Sequence, residues 1–453
     1  MDMRLAEKTL SQLIAPEGHA CSCGKVHTCG LKVLRIGQGA VNALPEAMEA
    51  LGVKKLFVVY DKNTFAAAGE KVEKALEGCA HVNFIFPMEG HIEPNEYAVG
   101  SLVMAFDPSC DAVLAVGSGV VNDCCKVAAK AFRLPSMVVC TAPSMDGYAS
   151  NSSSMIQNRV KVSLYNGCPQ AILADPSILA TAPDIMLKAG LGDMLAKYVA
   201  LCEWRIAHIV HGDPYCEEIA ELMRASLRKI VSHADGLMKR EPAALEAVTE
   251  GLVLSGLAMA FAENSRPASG LEHYFSHLWE MQALRLGVES DLHGIQVGVG
   301  TLLTLWIYEN VLNIDAPDAA KARQAMADFS MDTWKARVHE IFGVIAPEIL
   351  ELEEKTGKNS PVAHEKRLQL LLDNWAEVRK IIAEELPSFE SIHSLMERCG
   401  LPLTPADLKL TGEDTMNAFL GSRDIRDKYL TSNILWDLGL FEETALKLKE
   451  MNN

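Results

Sequence analysis

The stretch AVLAVGSGVVNDCCKVAAKAF, residues 112–132, decides the fold of this 453-residue chain. It begins as an apolar strand, turns through Gly117, Ser118 and Gly119, and continues as an amphipathic helix that carries Asp123. Glycines at such a turn let backbone N–H groups approach a pyrophosphate at the positive end of the helix. The pattern predicts a nucleotide-binding loop. A plain tight turn before a helix is the alternative, because a lone Gly-x-Gly is a weak signal.

The same strand-then-helix alternation surrounds this stretch. The predicted strands are LKVLRIG, KLFVVYD, HVNFIF, AVLAVGSG and SMVVCTAP, and the helical segments between them are NALPEAMEALG, AAAGEKVEKALEGC, NEYAVGSLVMAF and VNDCCKVAAKAF. This alternation predicts a doubly wound parallel sheet of the Rossmann-like α/β class. Such sheets bind ligands beyond the carboxyl ends of their strands.

Beyond about residue 183 the pattern becomes almost continuously helical, as in CEEIAELMRASLRKIVSHADGLM and ALEAVTEGLVLSGLAMAFAE. The sequence therefore predicts three parts: a Cys-rich leader at 1–30, an α/β domain at 31–182, and an all-helical domain at 183–453. The region 146–179 between the two patterns predicts a hairpin and one further strand.

Composition limits the function. The formal net charge of -17 argues against a nucleic-acid partner, although a local pocket can still hold a phosphorylated small molecule. No uninterrupted apolar run reaches the roughly 20 residues that span a bilayer, so a membrane partner is not expected. Twelve cysteines are scattered through the chain, several in apolar stretches, which is typical of reduced thiols in the cytoplasm.

Polar residues follow two other predicted strands. Asp61 ends the strand KLFVVYD, where a carboxylate can bind an adenosine ribose or cap the next helix. The segment CTAPSMDGYASNSSS places Thr141, Ser144, Asp146 and Ser150 just past another strand. We expect both sets on the ligand-binding edge of the sheet.

The helical half holds a candidate metal site. Asp193 is predicted to open a helix in KAGLGDMLAKYVA, His273 and His277 share one helical face, and His293 heads an apolar helix. One carboxylate and imidazoles suit one divalent ion such as Zn, Ni or Fe(II). Taken singly, each is more often a cap or a structural histidine. Spacing does not choose between His273 and His277, and both could bind.

The leader segment CSCGKVHTC brings Cys21, Cys23, His27 and Cys29 close together. Soft ligands at this spacing could bind Zn, but a simple reducible extension is the favoured interpretation. Cys124 and Cys125 beside the glycine turn are interpreted as small packing residues.

The motifs GSGVVNDCCK, TAPSMDGYAS, GLGDMLAKYVALCEWRIAH, SGLEHYFSH and LHGIQVGVGTL occur in one order. Together they resemble the sn-glycerol-1-phosphate dehydrogenases of the bacterial AraM type, in the superfamily of iron-containing alcohol dehydrogenases and dehydroquinate synthases. The resemblance covers roughly residues 31–305, with a weaker echo in SRDIRDKYLTSNILWDLGL. It does not extend to about 310–387.

The resemblance implies a metal-dependent reduction of dihydroxyacetone phosphate to sn-glycerol 1-phosphate by NAD(H) or NADP(H), in a cytoplasmic homodimer. It implies metal ligands at Asp193, His273 and His293, substrate contacts at Asp146, Asp193 and His277, and catalytic roles for Asp146 and His277. The implied cofactor-binding residues are Asp61, Gly119, Val120, Val121, Asn122, Asp123, Thr141, Ala142, Pro143, Ser144 and Ser150.

Three alternatives remain at this point. Glycerol dehydrogenases and other metal-dependent alcohol dehydrogenases also use Asp and His as metal ligands, so the metal site does not exclude them. Only the TAPSMDGYAS loop favours the phosphorylated substrate. A cyclase resembling dehydroquinate synthase is disfavoured, because it usually has Glu where Asp193 stands. A nucleotide-binding regulator with a degenerate site is disfavoured by the complete set of candidate ligands.

Overall fold

The computed structural model describes residues 4–87, 90, 92–158 and 160–451. Ten strands are assigned in this part of the chain: β1 His19–Ala20, β2 Val26–His27, β3 Val33–Ile36, β4 Lys55–Tyr60, β5 Ala80–Ile85, β6 Ala112–Gly117, β7 Ser136–Cys140, β8 Ser152–Gln157, β9 Val160–Tyr165 and β10 Ala171–Ala174.

Helices alternate with these strands and then fill the rest of the chain. Those up to residue 262 are α1 Leu10–Leu13, α2 Leu44–Leu51, α3 Lys62–Ala75, α4 Glu96–Ala105, α5 Gly119–Phe132, α6 Pro176–Leu179, α7 Asp184–Leu195, α8 Lys197–Val210, α9 Glu217–Leu237 and α10 Pro242–Ala262. The later helices are α11 Leu271–Leu286, α12 His293–Leu312, α13 Ala319–Ala327, α14 Met331–Phe342, α15 Ala346–Thr356, α16 Pro361–Glu385, α17 Phe389–Arg398, α18 Gly412–Ser422, α19 Thr431–Asp437 and α20 Phe441–Glu450.

Six strands form one parallel sheet in the order β3-β10-β7-β6-β4-β5, and β8 pairs with β9 as an antiparallel hairpin. Strand β6 is buried along its whole length, as expected for a central strand covered by helices on both faces. The predicted doubly wound sheet and helical second half are confirmed. Because all six strands are parallel, Asp61 after β4, Gly117 at the end of β6 and Thr141 after β7 lie at the same edge of the sheet.

The chain forms two compact units, residues 1–194 with 216–268 and residues 195–215 with 269–453. This division differs from the predicted boundary at 182, because α9 and α10 belong to the unit that contains the sheet. Helix α10 carries apolar residues around its whole circumference, and the first unit buries most of them.

Two helices, Pro242–Ala262 and His293–Leu312, are long and apolar enough to cross a bilayer by length and composition. In each, 78% of the apolar window is buried inside the chain, which is typical of core helices.

The prediction that Asp193 opens a helix is wrong. Asp193 lies near the end of α7, and the next helix begins at Lys197. Gly190 lies inside α7, where a close contact with the backbone of Pro143 requires a glycine.

Candidate active site

The glycine turn lies where it was predicted, between β6 and α5. A Cβ on Gly117 would lie 2.6 Å from Cβ of Val121, so a larger residue would push the first helical turn away from the strand. Ser118 is the N-cap of α5, yet its side chain makes no capping hydrogen bond. The first turn of α5 therefore presents backbone N–H groups without the usual side-chain cap.

Asn122 supplies the second sign of a ligand at this turn. It is 1% exposed, and its Nδ2 has no hydrogen-bond partner among the described residues. A buried donor without a partner costs about 1–3 kcal/mol, so such atoms usually have a function. A phosphate or carbonyl oxygen of a dinucleotide would satisfy it. The turn therefore fits a nucleotide cofactor.

Asp123, the next residue of α5, and Lys126, one turn further along, both bond to other parts of the protein. Asp123 Oδ2 accepts from the backbone N–H of Ser154 (2.9 Å), and Oδ1 pairs with Lys126 Nζ (2.9 Å). The buried Lys126 also donates to the carbonyl oxygens of Ser152 (2.5 Å) and, at longer range, of Gly147 and Ser150 (both 3.4 Å). These bonds fasten the 147–152 segment to α5, so Lys126 is not positioned as a surface phosphate ligand.

Asp61 follows β4, the strand beside β6 in the sheet. Its Oδ1 accepts from the N–H of Thr64 (2.7 Å), and its own N–H donates to Thr64 Oγ1 (2.9 Å), which makes it the N-cap of α3. The capping alternative is thus observed. The position, on a neighbouring strand end, also suits a ribose ligand, which stays a prediction.

The segment 141–150 wraps over the end of the sheet. The N–H of Thr141 donates to the carbonyl of Gly117 (3.2 Å), and the hydroxyls of Ser118 and Ser144 are hydrogen-bonded to each other. The buried Tyr148 donates its hydroxyl to the carbonyl of Ala142 (2.6 Å), and burial raises the pKa of Tyr148 well above its usual value of 10. Tyr148 is therefore a neutral structural donor rather than an acid-base group.

Two glycines hold this segment against the helices of the first unit. A Cβ on Gly190 of α7 would lie 1.8 Å from the carbonyl oxygen of Pro143, and one on Gly256 of α10 would lie 2.8 Å from Cβ of Ala149. Both contacts allow helix backbone to touch loop backbone. The two glycines thus determine how closely the 141–150 segment packs against α7 and α10.

The close approach of α7 brings two predicted carboxylates together. The backbone N–H of Asp146 donates to Oδ2 of the fully buried Asp193 (2.9 Å), and Oδ2 of Asp146 accepts from the hydroxyl of Ser255 on α10 (2.8 Å). The structure therefore joins two of the acidic residues that were predicted for the site, Asp146 and Asp193. Ser255 was missed, since a serine inside an apolar helix gives no sequence signal.

In the second unit the three predicted histidines form one cluster. The ring centroids of His273 and His293 are 5.3 Å apart, those of His277 and His293 5.5 Å, and those of His273 and His277 6.3 Å. Nδ1 of the buried His273 lies 2.8 Å from Oε1 of Glu272. A carboxylate at this nitrogen fixes ring orientation and tautomer, as it does in metal-ligating histidines.

Glu280 is an acidic residue of the cluster that sequence reasoning missed. Its carboxylate lies 3.3 Å from Nδ1 of His293 and 3.6 Å from Nδ1 of His277. The ligand atoms of these three residues lie within 4.8 Å of one another, close enough to hold one ion. The signal was available, because Glu280 lies three residues after His277 and so shares its helical face.

Two basic residues of the second unit, Lys197 and Arg205, lie in the motif GLGDMLAKYVALCEWRIAH. Arg205 is bonded to Glu385 (2.6 Å) and Glu384 (2.9 Å), and Lys197 is fully buried. Arg205 is thus committed to two carboxylates. Cys124 and Cys125 are also buried, and burial raises the pKa of Cys124 to about 12, so it is a packing thiol rather than a thiolate.

Comparison with known proteins gives a consistent set of relatives. The profile of the family "Iron-containing alcohol dehydrogenase" matches residues 35–183. A glycerol-1-phosphate dehydrogenase [NAD(P)+] of Halalkalibacterium halodurans is 31% identical over 413 residues, which cover 90% of this chain and 93% of the relative. One from Bacillus licheniformis is 31% identical over 362 residues, covering 77% and 89%.

Solved structures agree on the fold. Glycerol dehydrogenase from Schizosaccharomyces pombe superposes with a TM-score of 0.59 at 17% identity, covering 93% of this chain and 91% of that protein. Identity at this level concerns the architecture alone.

Proposed function

Since the chain belongs to the glycerol-1-phosphate dehydrogenase family, we propose that it reduces dihydroxyacetone phosphate to sn-glycerol 1-phosphate with NADH or NADPH. The observation that carries this proposal is the similarity to a relative of that name over nine-tenths of both chains. The uncapped first turn of α5, with the orphaned donor of Asn122, supports a dinucleotide at that point.

The residues present fit both groups that the reaction needs. The first turn of α5, from Gly119 to Asn122, would hold the pyrophosphate, and Asp61 would hold the adenosine ribose. Asp193, His273 and His293 would hold a Zn, Ni or Fe(II) ion, for which one carboxylate and two imidazoles are a suitable donor set. When bound, the nicotinamide supplies hydride and the ion supplies Lewis acidity toward the C2 oxygen.

Side chains of the protein orient the substrate and supply the one proton that the reduction requires. Asp146 accepts hydrogen bonds from substrate hydroxyls, and Ser255 fixes the direction of its carboxylate (2.8 Å). His277 holds the proton that the C2 oxygen gains, and the carboxylate of Glu280, 3.6 Å from its Nδ1, orients the ring. By the family resemblance, His273 is a metal ligand and His277 contacts the substrate. The carboxylate of Glu280 lies near His277 and His293, so these three residues form a second group that could hold the ion.

The deciding experiment starts from metal-stripped protein with NADH and dihydroxyacetone phosphate. Zn, Ni or Fe(II) is restored in turn, and the enantiomer of the glycerol phosphate product is identified. Metal-dependent formation of the 1-phosphate supports the proposal. Oxidation of glycerol without any turnover of dihydroxyacetone phosphate would replace the substrate and keep the fold.

Replacement of His273 tests the ligand assignment. We expect His273→Ala to abolish both turnover and retention of the catalytic ion, and His277→Ala to lower kcat while the ion stays bound. Metal analysis after gel filtration, alongside kcat, separates the two. A metal-loaded, active His273→Ala protein would contradict the assignment, and loss of the ion in His277→Ala would move the ligand role to the group of His277, Glu280 and His293.

We also propose that the enzyme is a cytoplasmic homodimer, as the family resemblance implies. Light scattering on gel filtration should then give twice the chain mass of 49.4 kDa. A mass of one chain at micromolar concentration would contradict it.

A further inference from the structure

A second cluster of metal-ligating side chains lies in the leader of the first unit. Cys21 and Cys23 belong to the turn between β1 and β2, His27 ends β2, and Cys216 immediately precedes α9, almost two hundred residues later. One ligand atom from each of these four residues lies within 4.8 Å of the other three. The fourth member is therefore Cys216 rather than Cys29, the residue that sequence spacing had grouped with the others.

The distances match a tetrahedral site. Sγ of Cys21 lies 3.5 Å from Sγ of Cys216, and Nε2 of His27 lies 3.4 Å from Sγ of both Cys23 and Cys216. Tetrahedral zinc with bonds of about 2.3 Å to sulfur and about 2.0 Å to nitrogen places its ligand atoms roughly 3.5–3.8 Å apart. The sulfur separation is too long for a disulfide, which needs about 2.05 Å.

The surroundings orient the ligands. Nδ1 of His27 is 3.0 Å from the carbonyl oxygen of Phe261, which directs the opposite nitrogen, Nε2, at the sulfurs. The hairpin turn is closed by N–H of Cys21 to O of Lys25 (3.0 Å) and N–H of Gly24 to O of Cys21 (3.0 Å). Gly24 has φ of +86°, a conformation that favours glycine and lets two thiols share one side of a short turn.

Cys216 is the N-cap of α9 and is buried. Its side chain makes no capping hydrogen bond with this 21-residue helix, and its Sγ instead contacts Cys21 and His27. His27 is likewise buried, whereas Cys23 is exposed, so an ion could enter from the hairpin side.

We propose that Cys21, Cys23, His27 and Cys216 bind one structural Zn²⁺ ion, distinct from the ion of the active site. Four protein ligands close the coordination sphere, so this ion takes no part in the reaction. It fastens the leader hairpin to the start of α9, while the His27 to Phe261 contact extends the connection to the end of α10. The leader is therefore an integral part of the first unit rather than a simple extension.

Cobalt substitution distinguishes this site from the catalytic one. In the full-length protein exchanged into Co²⁺, three thiolates should produce an intense sulfur-to-cobalt charge-transfer band in the near ultraviolet. Carboxylate and imidazole ligands do not produce one. We expect the band in the wild type, its loss in a Cys21→Ser/Cys23→Ser variant, and its retention in Cys29→Ser, the matched control from the same leader.

Zinc analysis gives an independent measure that does not require a folded variant. A mercurial reagent should release one Zn²⁺ per wild-type chain as it titrates the thiols. Absence of the cobalt band together with no mercurial-released zinc would overturn the proposal. So would a count two short of the twelve cysteines in denatured, unreduced protein, if peptide mapping places the disulfide between Cys21 and Cys216.

Discussion

At the scale of single residues, Gly190 is the glycine of the first unit at which an added Cβ would meet its neighbour most closely. Because its missing side chain would occupy the space 1.8 Å from the oxygen of Pro143, Gly190→Ala must push α7 off the loop or distort both. We expect a loss of about 1–3 kcal/mol of unfolding free energy, measured by urea titration, together with a fall in kcat.

The control is Gly100→Ala in α4, where an added Cβ meets nothing within 4 Å. Alanine has the higher helix propensity, so this variant should gain up to about 1 kcal/mol. Equal stability of the two variants would show that the contact at Gly190 does not constrain the loop.

Substitution of Asn122 tests whether the glycine turn binds the nucleotide. Since its Nδ2 has no partner among the described residues, Asn122→Ala should leave the melting temperature nearly unchanged and weaken NADH binding. The expected loss is about 0.5–1.5 kcal/mol, or roughly 2- to 12-fold in Kd by isothermal titration. Ser432→Ala in the second unit removes another buried atom without a described partner and should leave the Kd unaltered. A lower melting temperature with normal NADH affinity would give Asn122 a structural role instead.

Residue types that carry chemistry could be found from sequence, but their partners could not. The three histidines were identified because imidazole at helical spacing is an uncommon pattern. Ser255 was invisible, since its role depends on α10 reaching Asp146 from a hundred residues away. Cys216 was missed for the same reason, because no local pattern connects it with the leader.

At the scale of elements, a largely buried ion pair joins α19 to α16, the helix that lies in the stretch without a family motif. Arg367 donates through Nε (2.9 Å) and a terminal nitrogen (2.8 Å) to the buried carboxylate of Asp437, which also accepts from Tyr429 (2.9 Å). Asp437→Asn should cost about 3–5 kcal/mol in urea unfolding, because it leaves a buried guanidinium without its counter-charge.

Adding Arg367→Met to that variant should restore part of the loss, as the unpaired charge is then removed. The exposed pair of Arg323 and Glu365 is the matched control, and Glu365→Gln should produce no resolvable change. Additive losses in the double variant would mean that the pair is not coupled.

His364, one turn earlier on α16, gives the second unit a pH dependence. Burial lowers its pKa below 6.5, with Arg367 adding to the effect while Asp437 and Glu365 oppose it. The unfolded chain therefore binds the proton first. Stability is complete above pH of about 6.5 and falls as the pH drops from there to the lowered value in the folded state.

We expect His364→Gln to flatten that part of the curve of unfolding free energy against pH, measured by urea titration in half-unit steps. His339→Gln, at an exposed position on α14, serves as the comparison. A variant curve parallel to that of the wild type would assign the acid sensitivity to other groups.

Helices and strands were largely predictable, because period-2 and period-3.6 patterns are local. The error at Asp193 has a physical cause: the glycine of α7 is selected by the backbone of Pro143, and a sequence pattern cannot separate that requirement from a helix break.

At the scale of the whole molecule, the charge of -17 and a pI of about 5.3 control solubility. Mutual repulsion between protein molecules opposes aggregation at neutral pH and vanishes near the pI. Turbidity at low salt should therefore peak close to pH 5.3 and fall again at more acidic pH. Precipitation that only increases on further acidification would indicate unfolding rather than charge neutralisation.

The fold class followed from the sequence because the β-α alternation leaves few topologies for a parallel sheet. The division into units did not follow. Composition changes at about residue 183, but α9 and α10 pack in the unit of the sheet, and such packing depends on which faces meet in three dimensions.

Lys126 bonds α5 to three backbone carbonyl oxygens, so chemical labelling of its amine can follow the attachment of the 147–152 segment to α5. With 1% of its surface exposed, its amine is hidden from acylating reagents as long as those bonds hold. Modification then requires a transient opening, so the rate at which Lys126 becomes acylated counts how often the 147–152 segment detaches. Mass spectrometry of the peptide that contains Lys126 would measure how often the segment opens. A bound dinucleotide that stabilises the closed turn would lower the rate of acylation.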